Sequence, residues 1–109
     1  MLKYSELESV FGASGITVEE YNIETDEEVD IPYVAYVVSD ADSFGADGVN
    51  YLKLLNVNLV MIDEKMNFPL QNSIEGVLAD NDLSFNKTVN FDETNRLYSV
   101  SFYFNVMDA

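Results

Sequence analysis

Two alternating segments near the end of the chain constrain its fold more than any other feature. In LSFNKTVNF (Leu83–Phe91), every second residue from Leu83 is apolar except Lys87, and the residues between are Ser, Asn or Thr. LYSVSFYFNV (Leu97–Val106) alternates in the same way, and DETN (Asp92–Asn95) separates the two. A period of two is typical of a strand with one buried face. The pair therefore predicts an antiparallel hairpin with one apolar and one polar face.

Three earlier segments also read as strands. IPYVAYVV (Ile31–Val38) is β-branched and aromatic, and Pro32 stands at its start, where a proline costs no ladder bond. YLKLLNVNLVMIDE (Tyr51–Glu64) is apolar at both odd and even positions. This pattern predicts a central strand covered on both faces, at least in an assembled state. The short segment ITVEEY (Ile16–Tyr21) indicates an edge strand.

Two further segments have helical spacing. Within residues 2–11, the apolar face of the first consists of Leu7, Val10 and Phe11, at i, i+3 and i+4. Either Gly12 or Gly15 can end that helix. Asn67 can cap the second, with Pro69 in the first turn, where proline is tolerated. Its apolar stripe consists of Leu70, Ile74, Val77 and Leu78 and runs to about Asp82.

The elements follow the order α-β-β-β-α-β-β, which contains no alternating βαβ series. We predict an α+β fold in which an antiparallel sheet of about four to five strands carries two α-helices. Residues 1–109 are expected to form a single domain with one modest core. No apolar run is long enough to cross a bilayer, and no signal peptide is evident, so we expect a soluble protein without membrane contact.

The composition excludes several kinds of chemistry. The chain contains no histidine and no cysteine, which removes Ser–His hydrolysis, thiolate nucleophiles and the usual zinc ligands. Nucleotide-binding glycine motifs are absent as well. Adjacent acids occur at Glu19–Glu20, Glu27–Glu28 and Asp63–Glu64, but nothing in the sequence marks them as buried. We therefore expect no enzymatic activity and no cofactor, with a carboxylate-based enzyme as an alternative.

The charge balance is strongly acidic, with 20 acids against five bases and a net charge of −15. Such a chain repels nucleic acid and anionic membranes. Five of the acids fall between Glu24 and Asp30, which reads as a solvated connector. Three interpretations remain open: solubility, a surface that faces DNA without binding it, and mimicry of DNA to inhibit a DNA-binding protein.

The acidic stretch SDADSFGADGVNY resembles a calcium loop in part. Counted from Asp40, it places Asp42 at position 3 and Gly45 at position 6 of an EF-hand loop. Phe44 at position 5 offers no oxygen, and Tyr51 occupies position 12, where a bidentate Glu is needed. No specific calcium or other metal site is expected, although clustered aspartates can bind divalent cations weakly.

The ordered set of segments resembles a known family. The segments are ITVEEY, IPYVAY, SDADSFGADGVNYLK, IDEKMN, LSFNKT and ETNRLYSVSF. The matching residues are Pro32, Tyr33, Tyr36, Ser39, Asp42, Phe44, Ala46, Asp47, Tyr51, Lys53, Asp63–Lys65, Leu97 and Tyr98. Together they are similar to the small tail-completion proteins of long-tailed phages and prophages of Gram-positive bacteria. Those proteins act at the head–tail joint as tail terminators or tail-to-head joining proteins.

The resemblance implies a structural virion protein at the head–tail junction, present in the host cytoplasm during assembly. It implies a homo-oligomer, a hexameric ring, that contacts the tail tube protein and the head connector or stopper. DNA would pass through the lumen without specific binding, repelled by inward-facing acids. Asp40, Asp42, Phe44 and Asp47 are the candidate residues of a loop at a subunit contact or at the lumen. The alternative for Phe44 is a place in the core of its own subunit.

Overall fold

The computed structural model describes residues 2–20, 32–44 and 52–107, in which two α-helices and five strands are present. The helices are α1 (Leu7–Ala13), preceded by a 3-10 turn at Tyr4–Glu6, and α2 (Phe68–Asp80). The strands are β1 (Glu19–Glu20), β2 (Tyr33–Phe44), β3 (Leu52–Asp63), β4 (Asn86–Asp92) and β5 (Leu97–Met107). The predicted α+β class and the predicted order of elements are confirmed.

The strands form one sheet in the order β1-β2-β3-β5-β4. All neighbouring pairs are antiparallel except β1 and β2, which are parallel. β3 lies in the middle and β1 at an edge, as the sequence predicts. β4 and β5 form the predicted hairpin, in which Val89 pairs with Val100 and Phe91 with Tyr98.

The core lies between the two helices and one face of the sheet, which we call the inner face. The helices contribute Leu7, Phe11, Ile74, Val77 and Leu78, all at most 5% exposed. The strands contribute alternate residues, among them Val34, Tyr36, Val57, Leu59, Met61, Val100, Phe102, Phe104 and Val106. Burying each large apolar side chain contributes about 1.5–3 kcal/mol, so this layer is the main source of stability.

Gly15, rather than Gly12, ends α1. Gly15 has a φ of 81°, a left-handed conformation that glycine adopts at little cost. The amide of Ile16 donates to the carbonyl of Phe11 at 3.0 Å, and that of Gly15 to Gly12 at 3.0 Å. These two bonds define a Schellman motif, and both Ile16 and Phe11 are buried, as the motif favours.

Hydrogen bonds between residues close in sequence define both ends of α2. Asn67 is the N-cap, as predicted, and its side chain accepts a hydrogen bond from the amide of Leu70. At the other end, the amide of Leu83 donates to the carbonyl of Leu78 at 2.9 Å, while Asp82 adopts a left-handed φ of 56°. The helix therefore ends in a second Schellman motif.

β2 is longer than the sequence predicts. The expected strand ends at Val38, but pairing with β3 continues to Phe44, the residue before Gly45. Residues 39–44 contain neither proline nor glycine, so every residue keeps its backbone N–H donor. The hydrogen-bonded pairing of β2 with β3 can therefore continue through this segment. The register shifts by one residue between Asp40 and Ser43, which indicates a β-bulge.

Candidate interaction surfaces

Three of the four candidate residues lie in the last part of β2, not in a loop. Asp40 pairs with Leu55, and Phe44 pairs with Leu52. Asp42 lies in the bulge between them, where β2 has one residue more than β3. Asp47 lies outside the described residues. The bulge bends β2 and so changes the direction of its last residues. Bulges of this kind are frequent near functional sites.

The structure also bears on the calcium hypothesis. An EF-hand loop joins two helices, whereas this stretch begins inside β2 and is followed by β3. Within residues 2–20, 32–44 and 52–107, no group of three or more acidic side chains is placed to hold a metal ion. No helix in the same ranges is long and apolar enough to span a membrane.

The middle of the sheet face opposite the helices, which we call the outer face, carries no charged side chain over four adjacent strands. Strand pairing sets its rows, since residues directly opposite one another share a face: Tyr33 lies opposite Ile62, which lies opposite Ser99. The middle of the outer face consists of Tyr33, Ala35, Val37, Ser39, Asn56, Asn58, Val60, Ile62, Asn86, Thr88, Asn90, Ser99, Ser101, Tyr103 and Asn105. Two acids lie at its margins: Glu19 of β1, opposite Ala35, and Asp92 of β4, two residues beyond Asn90.

This neutrality stands out against the rest of the chain. Charged residues make up 23% of the sequence, and soluble surfaces are generally about a quarter to a third charged. Acids in the described regions instead gather at the ends of elements. Examples are Glu19 and Glu20 in β1, Asp63 and Glu64 at the end of β3, Asp80 and Asp82 at the end of α2, and Asp92 and Glu93 at the hairpin turn.

The amides of the outer face have unused hydrogen-bonding capacity. Elsewhere, Asn67, Asn81 and Asn95 all bond to their own chain. The five asparagines of the outer face make no side-chain hydrogen bond to any described residue. The Asn58 Oδ1 atom is even buried without a donor. An unsatisfied buried acceptor costs about 1–3 kcal/mol, so this face is incompletely satisfied within the chain as described.

Two hollows indent the outer face. The larger, of about 760 Å³, is lined mainly by polar residues that include Asn56, Asn58 and Tyr103. The smaller, of about 230 Å³, is lined by Tyr33, Ala35, Val37, Val60 and Ile62. Its apolar lining lies on β2 and β3, and Val37 is 47% exposed.

The side of α2 that faces away from the core is also nearly free of charge. It presents Phe68, Pro69, Asn72, Ser73, Gly76 and Ala79, all exposed, before Asp80 in the last turn. Phe68 is 60% exposed. Gly76 lies at the middle of this side, and a Cβ added there would meet nothing within 4 Å. Packing within the described chain therefore gives no reason for a glycine that costs the helix about 1 kcal/mol.

One cluster of titratable side chains joins α1 to the sheet. Tyr4 donates to Glu20 Oε1 at 2.7 Å, and this bond is the main cause of its raised pKa. Burial raises the pKa of Tyr36 further, aided by the charges of Glu8 and Glu20. Phenols with a raised pKa stay protonated at neutral pH, so neither serves as a base or nucleophile there.

No protein-family model matches the chain, and no curated protein sequence matches it. Among solved structures, the chain is similar to a protein chain in the virion of a native gene transfer agent (GTA) particle. The TM-score is 0.56 at 16% sequence identity, and the match covers 95% of this chain and 89% of that one. At this identity the likeness shows a shared fold.

Proposed function

We propose that this protein is a structural component of a phage-like virion, a tail terminator or tail-completion protein that forms a ring at the head–tail junction. The observation that carries the proposal is the fold match to a virion chain over 95% of this chain. Because the match spans nearly the whole of both chains, it concerns the complete described domain rather than a common fragment. The resemblance of the ordered segments from Pro32 to Tyr98 to tail-completion proteins points the same way.

The distribution of charge supports assembly into a ring. Subunits with a net charge of −15 repel one another, so a ring must form through surfaces that carry few acids. The middle of the outer face and the exposed side of α2 have this property, while most of the described acids lie at the ends of helices and strands. Such acids, repeated around a ring, give a lumen wall that repels DNA and lets it pass.

The end of β2 has a place in this proposal. Asp40, Asp42 and Phe44 lie before, within and after a β-bulge at the end of β2. There they can contact a neighbouring subunit or the lumen. With Asp47 they are the proposed contact or lumen residues. The partners of the ring are the tail tube protein on one side and the head connector or stopper on the other.

The DNA-mimic alternative receives less support. A mimic needs acids aligned along one face, as phosphates are along a duplex. The described acids instead occupy the ends of several elements, and the middle of the broadest sheet face carries none.

Deletion of the gene in the phage or prophage that encodes the protein tests the proposal. Electron microscopy is expected to show full heads beside separate tails, some abnormally long, because nothing ends the tube or joins it to the head. Complementation with the intact gene should restore joined particles. Normal, infectious virions in the deletion strain would contradict the proposed function.

A further inference from the structure

We infer that the outer face of one subunit receives the exposed side of α2 from a second copy of this chain, with Phe68 seated in the apolar hollow on β2 and β3. The inference rests on the ring assembly in the proposed function and assigns the surfaces that build it. Four observations carry it.

The first is the matching of charge. Most surfaces of two copies would bring acids together, because the chain carries 20 acids and five bases. The middle of the outer face has no charged residue, and Glu19 and Asp92 lie only at its margins. The α2 side has none between Phe68 and Ala79 apart from the partly buried Glu75, which pairs with Lys87. Like-charged subunits can therefore approach through these two surfaces without close contact between carboxylates. A basic protein would find carboxylates only at the margins of the outer face, and a nucleic acid would find no basic side chain on either surface.

The second is the match between an exposed aromatic and an apolar hollow. Phe68 leaves 60% of its surface exposed, although a phenylalanine side chain gains much from burial. The hollow lined by Ala35, Val37 and Val60 has a volume of about 230 Å³, enough for one aromatic ring. Interfaces draw much of their binding energy from a few aromatic side chains that fill such pockets.

The third is Gly76. A glycine in the middle of a helix is unfavourable, and no described atom lies close enough to require it here. A helix that lies in a concave sheet surface gains from a residue without a side chain at the point of closest approach. The larger hollow of about 760 Å³ offers that concave surface.

The fourth is the unused hydrogen bonds of the outer face. Asn56, Asn86 and Asn105 are exposed and make no side-chain bonds to the described chain. Asn72 on α2 can donate to and accept from such amides, and Ser73, whose hydroxyl donates to the Pro69 carbonyl at 3.0 Å, can accept from them. The charge-free contact thus combines one apolar anchor with a polar surround, the usual anatomy of an interface.

The arrangement is head-to-tail, because the two surfaces lie on opposite sides of the two-layer domain. Such a heterologous contact repeats from subunit to subunit and closes into a ring when its rotation allows. A back-to-back contact between two outer faces would instead stop at a dimer.

The absence of cysteine makes a clean cross-linking test possible. One protein carries Asn72→Cys, one turn along α2 from Phe68, and the other carries Ser39→Cys, two residues from Val37 on the outer face. Both substitutions leave Phe68 and its hollow intact, and the two proteins are mixed under mild oxidation. The mixed disulfide should form at least about tenfold faster than that between Phe91→Cys and Ser39→Cys, since a binding preference of this size corresponds to about 1.4 kcal/mol. Phe91 is the control, because it is 48% exposed and lies on neither surface.

A second variant separates contact from folding. Adding Gly76→Gln to the Asn72→Cys protein should abolish the rate advantage while leaving its thermal unfolding at or above that of the parent, since glutamine favours helix. Equal rates for the Asn72 and Phe91 pairs, or an advantage that survives Gly76→Gln, would overturn the inference.

The gene deletion and the cross-linking can fail separately. If the deletion strain fails to join heads and tails but the two cysteine pairs react equally, the ring contact lies elsewhere and the proposed function stands. If the Asn72 pair keeps its rate advantage but the deletion strain makes normal virions, the contact between copies stands and the proposed function is wrong.

Discussion

The hydroxyl of Tyr4 donates a 2.7 Å hydrogen bond to Glu20 Oε1 and so ties the first helical turn to edge strand β1. Tyr36, 4% exposed on the neighbouring strand, lies near enough to Glu8 and Glu20 for their charges to act on its hydroxyl. Burial and the nearby carboxylates raise the pKa of Tyr36, and the bond to Glu20 raises that of Tyr4, both above the ordinary value of 10.0. In the folded chain both phenols therefore hold their protons at a pH where the unfolded chain loses them.

This difference predicts alkaline destabilisation. The contribution of the two phenols to stability is complete below pH 10, the ordinary pKa, and falls as the pH rises from there through the raised folded pKa values. Urea unfolding between neutral pH and strongly alkaline pH should show this fall in the free energy of unfolding. Tyr36→Phe should reduce the slope of this fall, because the variant has no phenol to titrate at that position. Tyr103→Phe, at an exposed position, is the control, and an equal change of slope in that variant would contradict the assignment.

The two glycines Gly15 and Gly76 should respond oppositely to alanine. Both have open space for a Cβ, but Gly15 has a φ of 81° while Gly76 lies inside α2. Gly76→Ala should raise the free energy of unfolding of the isolated subunit by about 0.5–1 kcal/mol. Gly15→Ala should lower it by about 1–2 kcal/mol, because alanine is strained in the left-handed region. Urea unfolding of the two variants beside the parent measures both, and a loss of stability in Gly76→Ala would show that the glycine serves packing within the subunit.

The cap of α2 gives a third prediction. Asn67 combines a left-handed φ of 46° with a side chain that accepts from the Leu70 amide and donates to Asp63 Oδ2 at 2.8 Å. Asn67→Ala loses the cap and adds backbone strain, so it should cost about 2 kcal/mol. Asn67→Gly loses the cap but relieves the strain, and it should cost less than about 1 kcal/mol. The shifts in urea midpoint rank the two, and the reverse order would refute this account of the cap.

The hydrogen bond between Lys87 and Gln71 should contribute more to the free energy of unfolding than the ion pair between Lys87 and Glu75. Gln71 is 1% exposed, and its Oε1 accepts from Lys87 Nζ at 3.1 Å. Lys87→Met leaves that oxygen buried without its donor, which should cost about 1–3 kcal/mol. The 3.6 Å pair between Lys87 and Glu75 lies near the surface, so Glu75→Gln should cost less than about 1 kcal/mol. Thermal unfolding of both variants makes the comparison, and a larger loss in Glu75→Gln would reverse the assignment.

Local patterns were enough to predict most of the fold. The alternation after Leu83 predicted the hairpin, and the spacing of Ile74, Val77 and Leu78 predicted the buried side of α2, because both follow directly from backbone geometry. The end of β2 was missed, since Ser39 to Ser43 have low strand propensity and pair only because β3 offers a partner. The parallel pairing of β1 depends on a contact that no local pattern encodes.

The candidate surfaces were harder to predict. The neutrality of the outer face appears only when the register places Ser99 beside Ile62 and Asn58 beside Val37. A sequence signal did exist in Gly76, a glycine inside an otherwise good helix, and in Phe68, which falls off the apolar stripe. The acidic stretch from Asp40 is easier to recognise, because its charge and its partial match to a calcium loop are visible without the register.

The most direct test of the central claim is the position of this protein in intact particles. The chain would carry a small epitope tag at one terminus, and purified virions would be labelled with gold-conjugated antibody and imaged by electron microscopy. The account predicts gold at a single position, the joint between head and tail, in particles that remain infectious. Gold spread along the tail or over the head, or purified virions that lack the protein altogether, would contradict it.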